Sequence, residues 1–267
     1  MCLLSLHLQN PSAKYVIWFR VDQKTCLKSI LSVGMEPIII DPIVEGDELS
    51  TDLAALREKL SSLKKEDVLC IIPTTSVFAP RLPDDVVGVS RIAKEFGVPV
   101  VVNNAYGLQS RETCKAINRA LRVGRVDILV SSTDKNMLVP VGGALVYSAR
   151  SDVVSLIRKN YPGRASMSPI LDVFITLLGM GKRRLRSYLK EREDCYAYMQ
   201  EQLSLIAAKH GQRLLHTPRN PISMAVTLDN PFPDDASFVY SDDDVTKFGA
   251  MLYTRGVSGI EMVECGP

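Results

Sequence analysis

The chain predicts an α/β fold, a mostly parallel sheet covered by helices, followed by a smaller α+β unit. Two observations carry this. Short β-rich apolar runs alternate with amphipathic helical windows through the first 150 residues, as in parallel strands joined by helical crossovers. Those runs are near-continuously apolar rather than alternating, which is the mark of strands buried on both faces. The expected strands are Tyr15 to Phe19, Pro37 to Ile40, Val68 to Ile72, Val98 to Val102, Ile128 to Ser131 and Ala144 to Tyr147. Helical windows lie near 23–33, 51–63, 84–96 and 110–122, the second opened by Ser50 or Thr51 as its cap. After Arg150 the pattern turns helical, with Asp152 to Lys159, Pro169 to Leu178 and a long charged segment from Lys182 to Lys209. Two strands, Arg213 to His216 and Ile222 to Leu228, an acidic Pro-containing loop over 229–243 and a helix near 244–254 complete the reading. Residues 1–165 are expected to form a large α/β domain and 166–267 a partial small α+β domain.

Composition narrows the class. At 267 residues the chain sits at the upper edge of one core, or suffices for a large and a small lobe. The hydrophobic share of 46% and charged share of 23% are ordinary for globular proteins. A net charge of +2 argues neither for nor against nucleic acid, so any RNA contact must come from local basic patches. The six cysteines are scattered without a CxxC pair, which points to a reducing compartment and no zinc site. The start, MCLLSLHLQNPSAK, lacks a basic n-region and a small-residue cleavage site, and no apolar run is long enough to span a bilayer. The expected location is the cytoplasm.

In open parallel sheets ligands sit beyond the carboxyl ends of the strands. Four polar clusters fall there: Arg20 to Lys24, Thr74-Thr75-Ser76, Asn103 to Gly107, and Ser132-Thr133-Asp134-Lys135. Polar residues also simply mark where strands stop, so the weight lies in the combination. A lysine at the end of a buried strand is costly to desolvate. Covalent use as a Schiff base is one compensating role, because burial lowers an amine pKa and makes it nucleophilic toward an aldehyde. Gly142 and Gly143 lack Cβ and let backbone N–H groups approach a phosphate, although a Gly pair alone is more often a turn. Two basic clusters suit RNA phosphates: Arg119, Arg122 and Arg125, and Lys182, Arg183, Arg184, Arg186, Lys190 and Arg192. A solvated helix face explains the second at least as well.

Asn103 and Lys135 together resemble the core of the fold type I enzymes that use pyridoxal 5'-phosphate, in which one strand end addresses the ring nitrogen and a later one supplies the cofactor lysine. Most of that superfamily has aspartate at the first position. A neutral amide leaves the ring nitrogen less basic and the electron sink weaker, which suits elimination of a good leaving group. The blocks RVDQK, TTSVFAPR, VVNNAYG, SSTDKNMLVPVGGA, YPGRASMSP and RLLHTPRNPIS then resemble, in order from about Tyr15 to Gly259, the O-phosphoseryl-tRNA(Sec):selenocysteinyl-tRNA synthase family. The resemblance implies a homotetrameric, tRNA-binding selenium transferase. It would convert O-phosphoseryl-tRNA(Sec) to selenocysteinyl-tRNA(Sec) with selenophosphate, by phosphate elimination and then selenium addition. It makes Lys135 the cofactor lysine and the group that removes the α-proton, and Asn103 the ring partner. Ser132, Gly142 and Gly143 are implied at the cofactor phosphate, the glycines across a subunit boundary. The resemblance also implies Gln23 beside the cofactor, Lys24 and Arg164 at the substrate, and Arg122 and Arg255 at the tRNA, with helix-start solvation as the competing reading for Gln23 and Lys24. Thr74, Thr75 and Ser76 are second-tier pocket hydroxyls, with capping of the next turn as an equal alternative.

Family members carry a further segment before the YVIW strand that holds a glycine-rich phosphate turn and substrate-binding arginine and glutamine residues. Met1 to Lys14 offers no substitute, and IEMVECGP departs from the family pattern after Gly259. The expectation is therefore a fragment, a splice form or an incomplete gene model. The alternative function is a catalytically incomplete fragment that retains tRNA or partner binding. A cysteine or selenocysteine lyase is disfavoured by Asn103 and by the lack of a cysteine nucleophile in a recognisable loop.

Overall fold

The computed structural model describes residues 1–21, 23–164, 166–228 and 242–257. Helix α1 (Cys2–Gln9), not foreseen from the sequence, buries Leu3 and Leu6 and precedes β1 (Tyr15–Phe19). Then follow α2 (Lys24–Leu31), β2 (Glu36–Ile40), the hairpin β3 (Ile43–Glu45) and β4 (Glu48–Ser50), α3 (Leu53–Ser62) and β5 (Val68–Ile72). The central part runs α4 (Val86–Phe96), β6 (Val101–Asn103), α5 (Arg111–Val123), β7 (Ile128–Ser132), α6 (Thr133–Met137) and β8 (Ala144–Tyr147). Helices α7 (Ser151–Asn160), α8 (Met167–Lys209) and α9 (Asp242–Thr254) end the described chain.

Side chains set the helix starts. Asp52 caps α3 through the Ala55 N–H at 2.7 Å, Asp85 caps α4 through Val87 and Gly88, and Ser110 caps α5 through Thr113. The expected cap at Ser50 or Thr51 is thus displaced to Asp52, because the Thr51 hydroxyl donates instead to Asp84 at 2.7 Å.

Strands β2-β1-β5 form one parallel group; β6 and β7 are parallel, with β8 antiparallel at the edge. Two isolated bridges, Ile71 with Val100 and Thr74 with Asn103, join the groups into a continuous order β2-β1-β5-β6-β7-β8. The period of two divides each central strand between two apolar cores. Ile17, Phe19 and Ile71 face α3, α4 and α5, whereas Val16, Trp18 and Cys70 face α1, α2 and α7. Every residue of β5 is buried, and each such aliphatic side chain contributes about 1.5–3 kcal/mol. Double-sided burial does not extend to the edges, where Ile39 of β2 and Leu145 of β8 are 46% and 37% exposed.

Helix α8 breaks at Gly181, whose φ of 68° and ψ of 164° lie in a region that glycine alone reaches without strain, so the two helical segments expected there are distinct. The expected strands after it shrink to one antiparallel bridge, Leu214 with Val226. Of the expected loop over 229–243, residues 229–241 lie outside the described residues. No described helix is long and apolar enough to cross a membrane.

The 213–220 segment is held on the β3–β4 hairpin by charge. Arg213 forks onto Asp47 at 2.6 and 2.8 Å, the His216 N–H donates to the same carboxylate at 2.9 Å, and Arg219 bridges Glu45 and Glu48. Arg213, then the His216 N–H, lowers the Asp47 pKa to about 2. A carboxyl whose folded pKa is depressed stabilises above its unfolded pKa, near 4, and loses that contribution as pH falls toward 2. Limited proteolysis of the 213–228 region should therefore accelerate between about pH 4 and pH 2, and Asp47→Asn should show the fast rate already at pH 6.

Candidate active site

β1, β5, β6 and β7 end along one edge of the sheet, and the residues that follow them build a polar floor. Asp84, buried, accepts from the Thr74 N–H at 2.7 Å, the Thr51 hydroxyl at 2.7 Å and Arg81 Nη2 at 2.5 Å. Arg81 directs its remaining donors to the carbonyls of Arg20, Leu49 and Leu82. A buried ion pair held by this many further hydrogen bonds resists loss of either partner. Beside it Asn104, with no exposed surface, accepts the Thr75 hydroxyl at 2.7 Å and donates to Ser131 and Tyr147, each at 3.3 Å. Ser76 Oγ accepts the Tyr106 N–H at 2.9 Å. The hydroxyls of Thr75 and Ser76 thus tie strand ends together below the surface.

Asn103, the last residue of β6, is fixed through its backbone: its N–H donates to Pro73 O and its C=O accepts from Thr75 N–H, both at 2.9 Å. Its side-chain Nδ2 donates to Cys26 Sγ at 3.2 Å, and that thiol lies 4.0 Å from Gln23 Oε1. Burial pushes the Cys26 thiol pKa up, with hydrogen bonds from Asn103 and Thr74 opposing. Gln23 and Asn103 are therefore linked through a neutral thiol. Lys24 follows on the first turn of α2, exposed.

Lys135 differs from its expectation. The strand ends at Ser132 and the chain turns outward into the five-residue α6, leaving the Lys135 side chain 49% exposed with Nζ 3.2 Å from Asp134. The apolar residues after it do not bury it, since Leu138 and Val141 are themselves exposed. The short helix is held firmly all the same. Ser132 N–H donates to Ala105 O, Asn136 Nδ2 donates to the carbonyls of Ser132 and Ala105, and Thr133 donates its N–H and hydroxyl to Gly143 O. Ala105 is two residues past Asn103, so the lysine turn hangs on the Asn103 loop. Gly143 packs so closely that a Cβ would stand 2.7 Å from Thr133 Oγ1 and 3.1 Å from Pro169 Cβ, while Gly142, at φ 139°, occupies a backbone region that side chains disfavour.

The remaining candidates lie apart. Arg164 and Arg122 are exposed, and Arg255 donates to Met251 O of its own helix. Among the described residues no hydrogen bond or ion pair joins these three to the Asn103 and Lys135 turns. Arg125 leaves the expected basic cluster: its guanidinium is committed to Asp127 and Gly97 O. On α8, Arg192 donates to Pro221 O and Lys190 pairs with Asp194, which leaves Lys182, Arg183, Arg184 and Arg186 of the expected cluster exposed and without an ion pair among the described residues, Arg184 donating to the Tyr188 hydroxyl. Cys26, Asn136 and Asp84 were not singled out in the sequence, and Asn104 entered only as a member of the cluster Asn103 to Gly107; Cys26 carried a local signal, one helical turn after Gln23.

Residues 1–266 match the family described as SepSecS, O-phosphoseryl-tRNA(Sec) selenium transferase. The chain belongs to this family. A SepSecS relative from Dictyostelium discoideum, named O-phosphoseryl-tRNA(Sec) selenium transferase, is 42% identical over 272 residues, covering 99% of this chain and 57% of the relative. The crystal structure of an archaeal SepSecS superposes with a TM-score of 0.82 at 27% identity, covering 97% of this chain and 56% of that one. The chain thus spans just over half the length of these SepSecS proteins. Rice TDC, solved with PLP and tryptamine, shares the fold at a TM-score of 0.65 and 15% identity, over 82% of this chain and 49% of its own. The SepSecS match also takes in Met1 to Lys14 and residues 260–266, beyond the stretch that the sequence blocks delimited.

The floor makes a clear stability prediction. Asp84→Ala, which strands the Arg81 guanidinium and the Thr74 N–H, should lower unfolding stability by about 3–5 kcal/mol, read as a fall in the urea midpoint.

Proposed function

We propose that this chain forms the cofactor-binding part of an O-phosphoseryl-tRNA(Sec) selenium transferase, which converts O-phosphoseryl-tRNA(Sec) to selenocysteinyl-tRNA(Sec) with selenophosphate as donor. The observation that carries the reading is that Lys135 and Ser132 share one sheet edge with Asn103 and Gln23, the two turns tied through Ala105. The donor set fits pyridoxal 5'-phosphate: an accessible amine for an aldehyde, a neutral amide for a ring nitrogen, and a hydroxyl beside glycine backbone for a phosphate. When bound, that cofactor supplies an electron sink for the pair released as a substrate α-carbon loses its proton.

Lys135 Nζ is the group that takes the α-proton, and its exposure gives it the freedom to swing between partners. Asn103 holds the ring through an uncharged amide, so the sink is modest and departure of phosphate, a good leaving group, is the matched chemistry. Ser132, with Gly142 and Gly143, is assigned to the cofactor phosphate. Gln23 borders the cofactor, and Lys24 beside it faces the substrate. Arg164, with no ion-pair partner among the described residues, offers its planar fork to phosphate or carboxylate oxygens. Arg122 and Arg255 are assigned to tRNA phosphates, contacts that position RNA without reading its sequence. The working form is a cytoplasmic homotetramer. A second reading, a chain that keeps tRNA or partner binding without the chemistry, draws on the openness of Lys135.

The test is the visible spectrum of the purified chain with pyridoxal phosphate. A long-wavelength band present in the parent and absent in Lys135→Ala supports the cofactor site; a parent chain without that band overturns it. Retained affinity for phosphoserylated tRNA, lost in Arg122→Ala, would in that event favour the second reading.

A further inference from the structure

The side chain of Asn103 presents two nearly isosteric ends, and which of them faces outward is decided by hydrogen bonding alone. Its backbone leaves no freedom, being paired with Pro73 on one side and Thr75 on the other. Its side-chain Nδ2 donates to Cys26 Sγ at 3.2 Å. Cys26 is 8% exposed and its thiol carries a single proton. An acceptor for that proton, Gln23 Oε1, lies 4.0 Å away, one helical turn earlier. With the proton directed to Gln23, the sulfur meets Asn103 through lone pairs, and only an N–H can face it favourably. A flipped amide would set Oδ1 against the sulfur, acceptor to acceptor, unless the thiol abandoned Gln23. Burial keeps the thiol protonated, which preserves this order of donors and acceptors.

We propose that Cys26 is a positioning residue: its thiol fixes the Asn103 amide with Nδ2 inward, so that Oδ1, an acceptor, is the atom left for the ring nitrogen of the cofactor. This rests on the reading of Asn103 as the ring partner. An acceptor there pairs with a ring nitrogen only in its protonated N–H form. Asn103 then favours the protonated ring nitrogen in the same direction as an aspartate but, lacking the charge, more weakly, which keeps the sink modest. The same thiol holds Gln23, so the two residues assigned to the cofactor share one orienting group.

Cys26→Ser keeps a donor and acceptors at that point, Cys26→Val keeps approximate volume without them, and Gln23→Leu removes the acceptor for the thiol proton. In the cofactor-free chain, solvent exchange of the Asn103 side-chain amide protons, followed by NMR, should be slow in the parent and in Cys26→Ser. It should be roughly five- to ten-fold faster in Cys26→Val, the factor expected from losing one ordinary hydrogen bond, and raised in Gln23→Leu. Equal rates in the parent, Cys26→Val and Gln23→Leu overturn the proposal, and Gln23→Leu decides alone if Cys26→Val fails to fold. With ring-labelled pyridoxal phosphate bound, the nitrogen chemical shift should lie in the protonated range for the parent and Cys26→Ser and move toward the unprotonated range for Cys26→Val. An unmoved shift in Cys26→Val also overturns it. A parent chain that takes up no cofactor fails the functional reading instead, and the amide exchange still decides whether Cys26 orients Asn103.

Discussion

The pairing of β5 with β6 is the constraint on which the rest of the structure depends. No regular ladder joins them. The contact is two isolated bridges, closed at the carboxyl end where Asn103 N–H reaches Pro73 O and Thr75 N–H reaches Asn103 O. Without it there are two three-stranded groups and no common edge. Asp84 reinforces that seam by taking the Thr74 N–H, a donor that would otherwise be buried without a partner. Through Arg81 the same carboxylate is tied to Leu49 O in the β3–β4 hairpin, which in turn carries the Arg213 and Arg219 clamp. One buried charge pair thus links the seam to a segment more than a hundred residues away.

Apolar burial accounts for the layers but not for the alignment of the strand ends. Two hydrophobic faces hold six helices against the sheet, and such contacts tolerate sliding far better than hydrogen bonds do. Alignment comes from directional groups. Thr75 after β5, Asn104 after β6, Ser131 in β7 and Tyr147 in β8 form one hydrogen-bonded set across four successive strands. Each member satisfies another in a low-dielectric setting, where an unmatched partner is costly. Shifting any one strand by a residue would break at least one of these bonds, so the floor acts as a register lock for the turns that carry Asn103 and Lys135.

The sequence disclosed what depends on local pattern. β1 and β5 are legible to the residue because both are unbroken apolar runs at the centre of the sheet. β6 begins three residues later than its apolar run, because Val98 and Pro99 precede the ladder and proline has no N–H to donate. The short β3–β4 hairpin has too few apolar residues to signal itself, and the strands expected after α8 are shaped by ion pairs to a distant hairpin. At the site, the chemical identities of Asn103 and Lys135 were visible, whereas the burial inferred for Lys135 was not real. The sequence marks where the strand stops but not where the chain goes next, and the bonds of Asn136 and Thr133 set it as a short outward helix. Cys26 escaped notice because its role depends on a residue 77 positions away.

The candidate site divides into a part built into the fold and a part laid upon it. Asn103, Cys26 and Asn104 sit in the packed edge, so under the proposed function the surroundings of the ring would be set before any ligand arrives. That is the sense in which preorganisation lowers the reorganisation needed during reaction. Lys135 and Arg164 stand on exposed turns with little packing around their side chains. The role proposed for Lys135, to hold one partner and then move a proton, would need rotational freedom, and a half-exposed lysine on a five-residue helix retains it. The backbone of that helix is nevertheless pinned by Ala105 and Gly143, so the freedom belongs to the side chain and not to the turn. A fixed amide below and an exposed amine above are the arrangement that the hydrogen bonds of the sheet edge impose.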